Sequence, residues 1–254
     1  MRKYIIYGII SVATIIQGQV NTESMRSENK SDSFKNQFSM VIGYEKANTE
    51  VLELDAEYRL DYVKQENFHS FMVIKLENGY EKENDFSKNI INNKGFTHLR
   101  ITKDLFTNYQ MEAFTQYEFN EFLLLNHRYL LGTGLRIDLQ KSELSNTYIG
   151  IGLMVEKEIY DLESDHEKNL LRSTNYIKNN IVLNSNIDLS NTAYFQIASD
   201  DFNDYRILYD GGLYFHVNES FALTIELNYR YDNDPQGNLG SSYIQISNGV
   251  SFNF

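Results

Sequence analysis

From about residue 36 onward, apolar and polar side chains alternate along the chain with a period of two. The clearest run is 221–231. Phe221, Leu223, Ile225, Leu227, Tyr229 and Tyr231 fall on one parity, and Ala222, Thr224, Glu226, Asn228 and Arg230 on the other. Successive side chains of a strand point to opposite faces, so the run predicts a strand with one apolar and one polar side. In 51–62, Leu52, Leu54, Ala56, Tyr58, Leu60 and Tyr62 oppose Glu53, Asp55, Glu57, Arg59 and Asp61. In 109–120, Tyr109, Met111, Ala113, Thr115, Tyr117 and Phe119 oppose Gln110, Glu112, Phe114, Gln116, Glu118 and Asn120. In 126–139, His127, Tyr129, Leu131, Thr133, Leu135, Ile137 and Leu139 oppose Asn126, Arg128, Leu130, Gly132, Gly134, Arg136 and Asp138. Weaker alternation predicts further strands over 37–45, 68–79, 95–103, 147–158, 170–183, 186–198, 205–217 and 243–254, about twelve in all.

Many of these runs are longer than the ~5–6 residues of an average globular strand, and they match the ~9–11 residues of a tilted strand crossing a bilayer. A soluble sandwich or lipocalin-like barrel also alternates, but it buries its apolar face and uses shorter strands. The expected fold is therefore all-β: a single-domain, transmembrane, antiparallel up-and-down β-barrel of about twelve strands over residues 36–254. Apolar positions face lipid. Glu53, Asp55, Glu57, Arg59, Arg100, Glu112, Gln116, Glu118, Arg128, Arg136, Asp138, Glu226 and Arg230 are the candidates to line the lumen. Tyr44, Tyr62, Tyr109, Tyr229 and Tyr231 lie near strand ends, as an interfacial aromatic girdle requires.

The intervening segments should alternate between long outside loops (80–94, 159–169, 199–204, 232–242) and short inside turns (63–67, 184–185, 218–220). The link at 121–125, EFLLL, is short and apolar for an outside loop. At the N-terminus, Arg2 and Lys3 precede an apolar run of 13 residues, Tyr4–Ile16, and small Gly18. Residues 1–18 read as a cleaved signal peptide, and 19–35 as a flexible periplasmic lead-in. The last strand places Val250, Phe252 and Phe254 on one face, an expected signal for the outer-membrane barrel assembly machinery. The location this implies is the outer membrane of a Gram-negative-type bacterium, with outer-membrane lipids and lipopolysaccharide as partners.

Composition sharpens this picture. The 254 residues include 1 Pro and no Cys, which suits a chain built of hydrogen-bonded ladders and excludes disulfides and thiolate metal sites. A net charge of −12 argues against a nucleic-acid partner. The mean hydropathy of −0.45 is too polar for a helical membrane protein but not for a barrel, in which only alternate residues meet lipid.

Residues 95–140 contain an Arg100 strand, an EAFxQxE strand (Glu112, Ala113, Phe114, Gln116, Glu118) and an RxLxGxGLR strand (Arg128, Leu130, Gly132, Gly134, Leu135, Arg136), followed by Tyr148-Ile-Gly-Ile-Gly-Leu. This stretch resembles the salt-induced outer-membrane protein family, a domain of unknown function. The resemblance implies an outer-membrane barrel and no established activity. By parity alone, opposite charges on neighbouring strands would pair across the lumen wall, and Gly132 and Gly134 would leave room for long Arg and Glu side chains or permit a bend.

Dedicated chemistry is sparse. The five histidines show no metal-ligand spacing, and no cofactor, metal site or enzymatic activity is expected. GxG at 132–134 and 150–152 lies within strands and does not form phosphate loops. The acidic clusters in the outside loops (Glu81, Glu83, Asp85; Asp161, Glu163, Asp165; Asp200, Asp201, Asp204; Asp232, Asp234) read as solvated charges, with divalent-cation bridging to lipopolysaccharide as the other possibility. The expected role is an envelope structural or stress-related barrel with a charged, largely filled lumen. The alternatives are a small-solute or ion diffusion channel and, third, a lipid hydrolase or acyltransferase built on His127 with Ser142 or Ser145.

Overall fold

Each alternating run forms a strand. The computed structural model of the chain describes residues 33–46, 49–64, 67–83, 87–162, 166–218, 221–236 and 240–252. The strands are β1 (Ser33–Lys46), β2 (Thr49–Lys64), β3 (Phe68–Glu83), β4 (Asn89–Phe106), β5 (Tyr109–Asn120), β6 (Leu125–Lys141), β7 (Ser145–Tyr160), β8 (His166–Asn184), β9 (Ile187–Ala198), β10 (Tyr205–His216), β11 (Phe221–Asp232) and β12 (Ser242–Phe252). They form one 12-stranded antiparallel sheet in which every strand pairs with its neighbours in sequence. Among the described residues no ladder joins β1 to β12. The expected signal segment 1–18, most of the lead-in and Phe254 lie outside the described residues, as do the side chains of Val250 and Phe252.

Several strands outrun their alternating stretch. β3 and β4 keep pairing through Tyr80↔Ile90 and Glu81↔Asn89 beyond a bulge at Gly79, so the expected loop at 80–94 shrinks to the link 84–88. Similarly, β8 begins at His166, inside the expected loop 159–169. Main-chain ladders continue where the side-chain pattern fades, because alternation is needed only where one face is apolar surroundings and the other is not. The awkward 121–125 link is a 3-10 turn, Glu121–Leu123. Asn120 caps it by accepting a hydrogen bond from the Phe122 amide, and Leu124 closes it in the left-handed region at φ 51°. With this turn included, the strand ends that flank 47–48, 84–88, 121–124, 161–165, 199–204 and 233–241 share one rim, the loop rim. Those that flank 65–67, 107–108, 142–144, 185–186 and 217–220 form the opposite, turn rim.

The burial pattern is inverted relative to a water-soluble domain. Arg172 and Glu158 are 0% exposed, whereas Leu131 is 62% and Ile246 70% exposed. The sheet is rolled with its polar face inward: Arg206 on β10 bonds Glu156 and Glu158 on β7, and Tyr176 on β8 bonds Glu112 on β5. Bonds between side chains three strands apart are possible only across a curved interior.

Two aromatic belts ring the outer face. At the turn rim Phe34 stacks on Tyr62, which meets Phe68 edge-on. At the loop rim Tyr117 contacts Tyr129, and Tyr205 contacts Phe195 and Tyr231. Along β1 the belts are ten residues apart, Phe34 to Tyr44. At ~3.3 Å per residue and a tilt of ~40° this spans roughly 25 Å, the height of a lipid-facing apolar band. Lys103 and Lys157 face outward at the belts; between the belts, no outward-facing described side chain is charged.

Candidate functional site

The inner face of the β5–β6 hairpin explains the EAFxQxE and RxLxGxGLR motifs. Glu112, Phe114, Gln116 and Glu118 alternate inward on β5, and Arg128, Leu130, Gly132, Gly134 and Arg136 alternate inward on β6. The register places Glu118 opposite Arg128, and Arg128 opposite Glu158, so three strands bring carboxylate, guanidinium and carboxylate into one line. Arg128 Nη2 lies 2.6 Å from Glu158 Oε1, and Nη1 lies 3.2 Å from Glu118 Oε2. A second guanidinium enters from the far wall. Arg206 donates to Glu156 at 2.9 Å, to both oxygens of Glu158 at 3.0 and 3.2 Å, and to Asp232 at 2.9 Å. A third, Arg172, donates to Glu156 at 2.7 Å and to Asp204 at 2.8 Å. The Tyr160 hydroxyl donates to Glu158 at 3.0 Å. Isolated charges this deeply buried would be strongly destabilising; here each is paired and hydrogen-bonded.

Toward the middle of the interior Arg100 lies 3.6 Å from Glu112 and over the Phe114 ring. Glu112 also accepts from Tyr176 at 2.9 Å. Gln116 donates to Glu118 at 3.2 Å and shares a hydrogen bond with His98. Arg136 lies over the Tyr148 ring at 3.9 Å, donates to the Tyr176 hydroxyl at 3.4 Å, and stands 4.0 Å from Asp138, which pairs with Lys141. On the β2–β4 wall Glu77 pairs with Lys75 and Lys94, each at 2.9 Å. Arg59 pairs with Asp61 at 2.5 Å. Arg230 pairs with Asp210 at 2.7 Å.

The lumen candidates are thus not one site. Glu118 and Arg128 belong to the main network, and Arg100, Glu112, Gln116, Arg136 and Asp138 to a central group beside it. Glu53, Asp55 and Glu57 stand half-buried on β2, away from both. Glu226 points inward opposite Gly212 but is exposed.

Sequence reasoning missed Glu156, Glu158, Arg172 and Arg206. The first two were within reach, since they share the parity of Gly150 and Gly152 in a recognised strand. Arg172 lies in a strand whose alternation is blurred by outward Ser173, Asn175 and Asn179, and Arg206 in one blurred by inward Leu208, Gly212 and Tyr214. Two expectations are corrected. Asp204 is not a solvated loop charge but is 4% exposed and bonded to Arg172, and Asp232 is half-buried against Arg206; Asp234 pairs with Lys168 yet stays exposed, as a loop charge is expected to be. The glycines make room for aromatic rings rather than for Arg or Glu: a Cβ on Gly132 would sit 2.2 Å from Phe114 Cζ, and one on Gly150 1.9 Å from Tyr176 Cε1. Gly134 and Gly152, paired directly, let two strands approach so closely that a Cβ at either would meet main-chain oxygen at 2.7–2.8 Å.

A cavity of about 100 Å³ remains at the loop rim, walled by Arg128, Arg206, Arg230, Tyr160, Tyr231 and Tyr243. A second, about 30 Å³, lies among His98, Tyr194 and Gln196.

A family model described as "Protein of unknown function, DUF481" matches residues 24–254. No curated protein matches the chain. Among solved structures, the NanC porin aligns with a TM-score of 0.51 at 13% identity, covering 87% of this chain and 98% of that one. The translocator domain of the autotransporter NalP from Neisseria meningitidis aligns with a TM-score of 0.50 at 10% identity, covering 92% of each chain. At these identities the likeness is one of fold.

Proposed function

We propose, from the premise that this chain belongs to the DUF481 family of proteins of unknown function, that it is an integral outer-membrane barrel whose lumen is closed by its own side chains. Its role is structural and stress-related, in the envelope of a Gram-negative-type bacterium. The salt-induced family resemblance points the same way. The observation that carries this reading is the network of Arg128, Arg172 and Arg206 with Glu118, Glu156, Glu158, Asp204 and Asp232, which ties β5 to β11 across the interior. A conducting lumen keeps its charged groups in water; here Glu156 is 2% exposed and Arg206 4%. The belts and the uncharged outer band support residence in a bilayer, with lipid and lipopolysaccharide around the loop-rim half. Residues 1–18 would direct export, and Val250, Phe252 and Phe254 would present the assembly signal.

A second reading, a small-solute diffusion channel, is favoured by the loop-rim cavity and by the half-buried carboxylates of β2, and one neighbour in fold is a porin. The lipid-enzyme reading has little support. His127 shares a 3.0 Å hydrogen bond with Tyr117, and Ser142 and Ser145 sit at the other rim, roughly 50 Å away along the strands at ~3.3 Å per residue. The experiment is solute entry into proteoliposomes carrying the refolded protein. No swelling in an isotonic monosaccharide supports the closed lumen; swelling at a porin's rate would establish the channel.

A further inference from the structure

The outer band differs from wall to wall. Between the belts on β5 and β6, polar side chains turn back on the sheet: Thr115 and Thr133 donate to the main-chain carbonyls of Leu130 and Glu112 at 2.9 and 2.8 Å. On β8 and β9 the outward set instead includes three asparagines, Asn175, Asn179 and Asn191. Asn175 lies nine residues from either end of β8, at mid-height. A side-chain amide has two donors and an acceptor with two lone pairs, and hydrocarbon satisfies none of them. The bonds formed within the wall use only part of that capacity. Asn175 donates to Ser173 at 2.9 Å and Asn179 to Thr147 at 2.8 Å, which leaves both carbonyl oxygens. Asn191 accepts from Tyr209 at 2.7 Å, which leaves its NH₂ group.

We propose that the β7–β9 wall is the surface through which two copies of this chain associate within the membrane. The proposal rests on the reading that the outer face lies in lipid. The unused groups are self-complementary. Asn179 and Asn191 are direct cross-strand partners, so one copy presents an acceptor beside a donor. A two-fold axis through this point lets each Asn191 NH₂ donate to the Asn179 oxygen of the other copy, an isologous contact. Lipid tails offer no such groups, and side-chain amides bonded across an interface are polar anchors that membrane helices use to associate. Ala193 beside them on β9 leaves the wall low, the Tyr209 ring lies over Gly211 on β10, and Ile177, 47% exposed, packs at the centre of the contact.

The chain lacks cysteine, so a single introduced thiol reports contact cleanly. Ile177→Cys, refolded into phosphatidylcholine vesicles at high lipid excess and oxidised, should give covalent dimers in about tenfold greater yield than Leu54→Cys on the β2 wall. Leucine at all three asparagine positions should weaken association of labelled wild-type-like protein by about tenfold, read by energy transfer between copies, with heat-modifiable gel mobility intact. Equal cross-linking at positions 177 and 54 would overturn the proposal, as would monomers at every protein-to-lipid ratio. A monomer that retains lipopolysaccharide through this wall, lost in the triple variant by native mass spectrometry, would also overturn it in favour of a lipid occupant. In all three cases a folded, inserted protein leaves the membrane reading standing. Failure to insert into vesicles would instead contradict that reading and the proposal with it.

Discussion

Arg206 on β10 reaches across the interior to Glu158 on β7, three strands away, placing Nη2 3.0 Å from Oε1 and 3.2 Å from Oε2. That carboxylate is held from the other side by Arg128. The pair therefore fixes how tightly the sheet rolls, which no bond between adjacent strands can do.

Arg206→Ala should destabilise the barrel by about 3–5 kcal/mol, because Glu156 and Glu158 each lose a buried guanidinium partner and keep only Arg172 and Arg128, which leaves the network further short of positive charge. Arg206→Lys should recover only part, since a single ammonium nitrogen cannot reach Glu158, Glu156 and Asp232 together as Nη2, Nη1 and Nε do. Urea unfolding in vesicles, followed by tyrosine fluorescence, measures both. An Arg206→Ala midpoint equal to wild type would remove the network from the account.

The same burial predicts indifference to salt. Screening acts on charges in water and reaches a buried network weakly. The urea midpoint should shift little between ~10 mM and ~1 M NaCl, across which the Debye length falls from about 30 to 3 Å. A large loss at high salt would mean that the interior is wet.

Alternation alone gives the strands and their inner and outer faces, because both are properties of local parity. The network's membership was legible only in part. Arg128 and Glu118 stand out because they lie in strongly alternating strands. Asp204 does not, because it sits in a polar loop, and only the return of that loop over the rim brings it to Arg172. Arg206 was equally hidden: parity says that it points inward but not how far the interior is from wall to wall. The glycines were misassigned for a related reason. Sequence shows that space is left at Gly132 and not which neighbour, Phe114, fills it.

That relation is testable. Gly132→Ala should cost about 1–3 kcal/mol by forcing the Phe114 ring from its rotamer. Phe114→Leu in the same chain should relieve most of the penalty, giving a clear interaction energy in a double-mutant cycle. Additive effects would show that the two residues do not compete for the same space.

The outer band predicts a depth-dependent cost. Leu135→Arg, between the belts, should destabilise by about 2–4 kcal/mol, and Tyr129→Arg, at the loop-rim belt, by about 0–1 kcal/mol. Equal costs at the two positions would contradict a bilayer running between the belts.

In hydrocarbon, the main-chain groups along the free edges of β1 and β12 would cost several kcal/mol each unless paired, so the two edges should meet. Met40 on β1 and Ile244, Ile246 and Asn248 on β12 all face outward. Cysteine at Met40 combined with cysteine at one of these three should form an intrachain disulfide in vesicles. Cross-links found only between copies would mean that the edges pair with another chain instead.

The most direct test of the closed interior is the single-channel conductance of the refolded wild-type protein in a planar lipid bilayer, with insertion verified by heat-modifiable mobility. Wild type should leave the bilayer silent, and discrete steps should appear only when Arg128 and Arg206 are both replaced by alanine. Reproducible conductance steps from the wild-type protein would contradict the closed interior.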